Sequence, residues 1–68
     1  MIEKERLKEL AYKGARLYSV DTKHRTIFSF NIHCGLNGEF MITDDQYQVL
    51  SKCVESQEEA ERILGENK

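Results

Sequence analysis

The sequence predicts a small α+β domain, a three-stranded antiparallel β-meander with helices packed on one face, in the order α-β-β-β-α-α. Three observations predict it. Apolar residues recur at helical spacing near both ends of the chain. Between residues 25 and 34, aromatic and β-branched side chains alternate with polar ones at a period of two. Clusters of Gly, Asn, Asp and Thr separate these segments, as turns and caps require.

Residues 2–13 read as the first helix. Leu7, Leu10, Ala11 and Gly14 fall at i, i+3, i+4 and i+7, and Gly14 after Lys13 is a C-terminal stop. A helix this short needs tertiary packing, because isolated helices under about 12–15 residues are marginal in water. Residues 15–20 and 25–34 read as strands, joined by the polar Asp21-Thr22-Lys23-His24. In the second strand Phe28, Phe30, Ile32 and Cys34 alternate with Ser29, Asn31 and His33, so the even-numbered set faces the core. A third strand, Glu39 to Ile42, follows Gly35-Leu36-Asn37-Gly38. A two-residue loop there would set Cys34 against Met41 and mix the faces. A three-residue loop, Leu36-Asn37-Gly38, pairs Cys34 with Phe40 and Ile32 with Ile42, and Gly38 takes the left-handed position without strain.

Two helices complete the chain. Thr43-Asp44-Asp45-Gln46 has the capping-box pattern, with both aspartates in the first turn where the helix dipole favours negative charge. Tyr47, Leu50 and Val54 form the stripe of this helix. Ser56-Gln57-Glu58-Glu59 is a second capping box, ahead of Ala60, Ile63 and Leu64, with Gly65 as the stop. A single continuous helix would put Gln57 and Glu61 into the apolar stripe, so a break is expected near Glu55–Ser56. The expected core joins Phe28, Phe30, Ile32, Phe40 and Ile42 to Leu7, Leu10, Tyr47, Leu50 and Val54.

Residues 1–68 make one domain. A chain of 68 residues buries only about 60% of its unfolded surface, so its core is marginal and self-association is expected, with a homodimer the simplest form. No apolar run approaches the roughly 18 residues that span a bilayer. Met1-Ile2-Glu3-Lys4-Glu5-Arg6 lacks the apolar stretch of a secretory leader, and two cysteines without one fit a reducing compartment. The expected location is cytoplasmic.

Catalysis finds little support in the sequence. Adjacent helical aspartates such as Asp44 and Asp45 point about 100° apart and do not readily share a proton or a metal, and capping accounts for both. A metal site would draw on His24, His33, Cys34 and Cys53, but His33 and Cys34 are sequential in a strand and face opposite sides. Both cysteines are expected reduced and in or near the core, with no metal bound. Ser29, Asn31 and His33 share a strand face at about 7 Å steps, too wide for a nucleophile and its base in direct contact. No phosphate loop or nucleophile elbow is present. A non-enzymatic protein without a cofactor is expected.

Binding has the stronger case. Residues 1–30 carry seven Lys/Arg against four Asp/Glu, whereas residues 31–68 carry three against eight, a split that suits a polyanion-binding end or a dock for a basic partner. Lys13, Arg16, Lys23, His24 and Arg25 flank the first hairpin, with Tyr12 and Tyr18 nearby as stacking partners, and form a candidate nucleic-acid surface. The α-β-β-β-α order is similar to that of the double-stranded-RNA-binding domain. Such domains present lysines where the helix after the third strand begins, and here that position reads Thr43-Asp44-Asp45-Gln46, two negative charges facing any phosphate. A second candidate surface is the outward sheet face, with Tyr18, Ile27, Ser29, Asn31, His33 and Met41. A sheet covered on one side leaves the other to water, and three large side chains there suit a partner or a second copy. The reading favoured is a small accessory or regulatory protein, of a kind found in bacteria and phages, that binds another macromolecule. A nucleic-acid-binding module is the alternative.

Overall fold

The computed structural model describes residues 1–66. Its elements are α1 (Lys4–Lys13), β1 (Arg16–Asp21), β2 (Thr26–Asn31), α2 (Asp44–Ser51) and α3 (Gln57–Glu66). The order among the described residues is α-β-β-α-α, with one two-stranded antiparallel sheet. The expected three-stranded meander does not form, and with it goes the topological likeness to the double-stranded-RNA-binding domain.

The first helix begins two residues later than its apolar pattern suggests. Glu3 is extended, and the Ile2 N–H donates to the Ser51 carbonyl at 2.9 Å, so the chain start is tied to the end of α2 and Ile2 is buried outside the helix. Gly14 ends α1 as expected, in the left-handed conformation at φ 63°. The Gly14 N–H donates to the Ala11 carbonyl at 3.1 Å and the Ala15 N–H to the Leu10 carbonyl at 2.9 Å, the paired bonds of a Schellman turn. A Cβ at this position would also lie 3.3 Å from the His33 ring, so glycine is required twice over.

The turn delivers the chain into β1, which pairs with β2 through Leu17 opposite Phe30, Tyr18 opposite Ser29 and Ser19 opposite Phe28. Asp21 closes the connection, its Oδ1 accepting the His24 N–H at 3.1 Å and its Oδ2 lying 2.8 Å from His24 Nδ1. These hydrogen bonds from His24 hold the Asp21 carboxyl below its ordinary range. Along the other edge of β1, Tyr18 and Val54 exchange two backbone hydrogen bonds of 2.9 Å.

The main core joins Leu7, Leu10 and Ala11 of α1 to Leu17, Ile32, Cys53 and Ile2, with Phe30, Phe40, Ile42, Tyr47 and Leu50 half-buried against it. Phe28 is 56% exposed and does not belong to it. The period-two pattern identifies the face of β2 correctly, but α1 covers only the Leu17–Ile32 end of that face. Val54 also leaves the expected stripe, because α2 stops at Ser51 and residue 54 is used as a sheet bridge. The helix break spans residues 52–56, so it begins earlier than expected but includes Glu55 and Ser56, and α3 continues through Gly65.

The third strand fails for a packing reason. Its loop closes in the three-residue form, with the Gly35 N–H on the Glu39 carbonyl at 2.8 Å and Gly38 at φ 74°. Beyond that bond the register of Cys34 with Phe40 and Ile32 with Ile42 is not made, since β2 ends at Asn31. Phe40 and Ile42 pack on the core beside Tyr47 and Leu50 instead. Thr43 then caps α2, accepting from the Gln46 N–H at 3.2 Å while Gln46 Oε1 accepts the Thr43 N–H at 3.0 Å. Between Gly38 and this fixed cap a four-residue strand could add few ladder bonds, and burial of the two large side chains wins.

The helices are not confined to one face. Tyr18, Val20 and Ile27 share the second face of the sheet and are half-buried, although they lie outside the main core. Their cover is α3, which packs along β1 and whose Ala60 has no solvent exposure while also lying outside that core. The sheet is thus held between α1 and α3. Truncation separates the two ends of the first face: Leu17→Ala should cost about 2–5 kcal/mol and lower Tm sharply. Phe28→Ala, at a position exposed in the single chain, should change the Tm of the monomer by only a few degrees when dilute protein is denatured thermally and followed by circular dichroism.

Candidate binding surface

The segment 39–42, released from the sheet, forms one side of a groove of about 510 Å³ whose other side is α2. Buried Ile32 and half-buried Leu50 supply its base, and Phe40 and Ile42 stand half-buried beside them. Met41 and Val49 line the rim at 80% and 65% exposure, and Leu36 at the loop tip is wholly exposed. Contiguous large apolar side chains open to water are unusual on an ordinary surface and mark interaction sites. Capping holds the α2 side in place, because Gln46 is engaged through both its side chain and its backbone.

The Asp, Glu, Lys and Arg side chains that line the groove and its neighbour are all acidic. Asp45 lines it, and Glu39 lines the adjoining depression that shares His33, Phe40, Met41 and Ile42. No Lys or Arg lines either concavity among the described residues. Two of the carboxylates from the acidic second half of the sequence, Glu39 and Asp45, therefore border this exposed apolar surface.

The six residues of the expected outward sheet face are divided by the structure. Tyr18 and Ile27 are half-buried under α3. Ser29 and Asn31 are exposed on β2, with Asn31 Nδ2 donating to the Gly14 carbonyl at 3.0 Å. His33 and Met41 line the groove. Of its lining, the sequence pattern places Phe40 and Ile42 in the core and gives Val49 no role. Val49 carried the only signal, as an apolar residue in α2 off the Tyr47–Leu50 stripe.

The basic set is not gathered into one patch. Lys13 and Arg16 lie at the start of β1 and Lys23, His24 and Arg25 at its end, separated by a six-residue strand of roughly 20 Å. His24 is engaged with Asp21, and Arg25 reaches the Leu64 carbonyl at 3.4 Å. Arg6, outside this set, donates to Glu55 at 2.8 Å and Glu9 at 3.1 Å, an exposed link between α1 and the segment before α3. Among the described residues no group of three or more His, Cys, Asp or Glu side chains is placed to hold a metal ion. Cys34 and Cys53 are free thiols. No helix among these residues is long and apolar enough to cross a membrane.

No protein-family model matches the chain, and no curated protein or solved structure matches it.

Burial pushes the Cys53 thiol up, opposed in part by a hydrogen bond from Ser19. A thiol raised in the folded state favours folding below its unfolded value, and that contribution is lost as pH rises through the folded one. Stability should therefore decline above about pH 8.5, and Cys53→Ala should flatten that slope. In thiol labelling of the folded protein at neutral pH, half-buried Cys34 should react well before Cys53. Equal labelling rates would contradict the placement of Cys53 in the core.

Proposed function

We propose that the chain is a small cytoplasmic, non-enzymatic protein of accessory or regulatory type that binds another protein in the groove between residues 39–42 and α2. The observation that carries this reading is the pairing of Met41 and Val49, both exposed, above a half-buried apolar base. Methionine adapts its shape to a partner surface and is over-used at such sites. The carboxylates of Glu39, Asp44 and Asp45 at the same end of the molecule favour a partner segment with apolar anchors and flanking Lys or Arg. A groove beside a helix is the usual receiver of an amphipathic helix, read at i, i+3, i+4 and i+7.

Two features weigh against the nucleic-acid alternative. The basic residues are spread along the hairpin, and the groove between residues 39–42 and α2 is bordered by negative charge, which repels phosphate.

A basic amphipathic peptide of Leu and Lys at helical spacing, titrated into isotopically labelled protein, should perturb amide resonances at Met41, Asp45 and Val49. Met41→Asp with Val49→Asp should leave the fold intact, since both side chains are exposed. It should weaken the peptide by at least about tenfold, given roughly 1.5–3 kcal/mol for each buried apolar side chain. Perturbations confined to Lys13, Arg16 and Lys23 by an oligonucleotide, with heparin retention that falls steeply in salt, would replace this reading with the nucleic-acid one.

A further inference from the structure

The outer edge of β2 is an unused pairing surface. The Ile32 N–H donates to the Ala15 carbonyl at 3.0 Å, which sets the even-numbered residues of this strand to bond toward β1. Antiparallel ladders alternate, so Ile27, Ser29 and Asn31 point their N–H and C=O groups away from β1. No backbone partner meets those groups among the described residues. Natural edge strands are blunted by charges, proline or bulges, whereas Thr26–Asn31 reads Thr-Ile-Phe-Ser-Phe-Asn and carries none of the first two.

We propose that a second copy of this chain pairs antiparallel along this edge, with the two-fold axis at Ser29, making a continuous four-stranded sheet. The register follows from the strand itself. Outward-facing residues must oppose outward-facing residues, and only the arrangement centred on Ser29 uses all three of them on both copies, Ile27 opposite Asn31 and Ser29 opposite Ser29. That register sets Phe28 of one copy against Phe30 of the other, on the face that holds Leu17. The exposed Phe28 ring is then covered, and it extends a core in which Phe30 already takes part. A small serine at the axis lets the strands approach. The pairing also answers a shortage of structure, since two strands alone are a marginal sheet in water. This surface is separate from the groove, and the proposal does not depend on what the groove binds.

Light scattering and sedimentation equilibrium of the full chain, from micromolar to near-millimolar concentration, should give about twice the 8.0 kDa chain mass. Ser29→Pro removes an N–H that faces outward, so it spares the β1 ladder and should yield a monomer with an unchanged circular dichroism spectrum. If that variant does not fold, Ser29→Lys decides, because like charges then meet at the axis. Val49→Asp, in the groove, should leave the dimer mass unchanged. A monomeric parent, or a dimer that survives Ser29→Lys, overturns the proposal. A dimer lost in Val49→Asp but kept in Ser29→Lys would also overturn it, and would make the groove the self-interface.

Discussion

The core that Leu7, Leu10 and Ala11 of α1 share with Leu17 of β1, Ile32 and Cys53 is the constraint on which the rest of the structure depends. Leu7 and Leu17, from these two elements, are the largest side chains with no solvent exposure. Neither element could persist alone. A ten-residue helix is below the length that is stable in water, and a two-stranded sheet needs a cover. The Schellman turn at Gly14 makes the joint between them short, so burial of Leu7, Leu10 and Ala11 follows directly from the chain leaving the helix. The bond from Ile2 to Ser51 and the bridge from Tyr18 to Val54 then draw both ends of the α2 to α3 connection onto the same unit.

That arrangement explains what remains exposed. Once Phe40 and Ile42 are spent on the core beside Tyr47 and Leu50, residues 39–42 can no longer add to the sheet. Two surfaces result from this one event. The segment and α2 enclose the apolar groove rimmed by Met41 and Val49, and the fold is left with a sheet of only two strands whose β2 edge is bare. Exposed apolar surface here is what the core could not absorb, in keeping with the small interior available to a chain of this length.

Local signals in the sequence carried well. Gly14 as a helix stop, Thr43 with Gln46 as a capping box and Gly38 in a three-residue loop each depend on a few neighbouring residues, and each has its expected geometry. Signals that depend on distant partners did not carry. The alternation of Phe28, Phe30 and Ile32 names one face of a strand, but it does not say how far along that face a helix reaches. Val54 has helical spacing from Tyr47 and Leu50, yet its backbone is taken by Tyr18 across the sheet. Likewise Ala60, Ile63 and Leu64 describe an amphipathic helix without saying on which side of the sheet it lies. For the same reason the candidate site was legible in parts. His33 and Met41 were identified as exposed residues of interest, while Val49 and Phe40 needed the fold to be brought beside them.

The central claim is that residues 39–42 are packed against the core without joining the sheet. Amide hydrogen exchange under native conditions tests it residue by residue, because ladder amides are protected to nearly the full unfolding free energy and unpaired ones are not. Leu17 and Phe30 should exchange slowly, together with the amides of the central turns of α1. Phe40, Met41 and Ile42 should exchange many-fold faster than these, despite the half-burial of two of their side chains. Protection of Phe40 and Ile42 equal to that of Phe30 would contradict the account, since it would mean that a third strand is paired and that the groove beside α2 is closed.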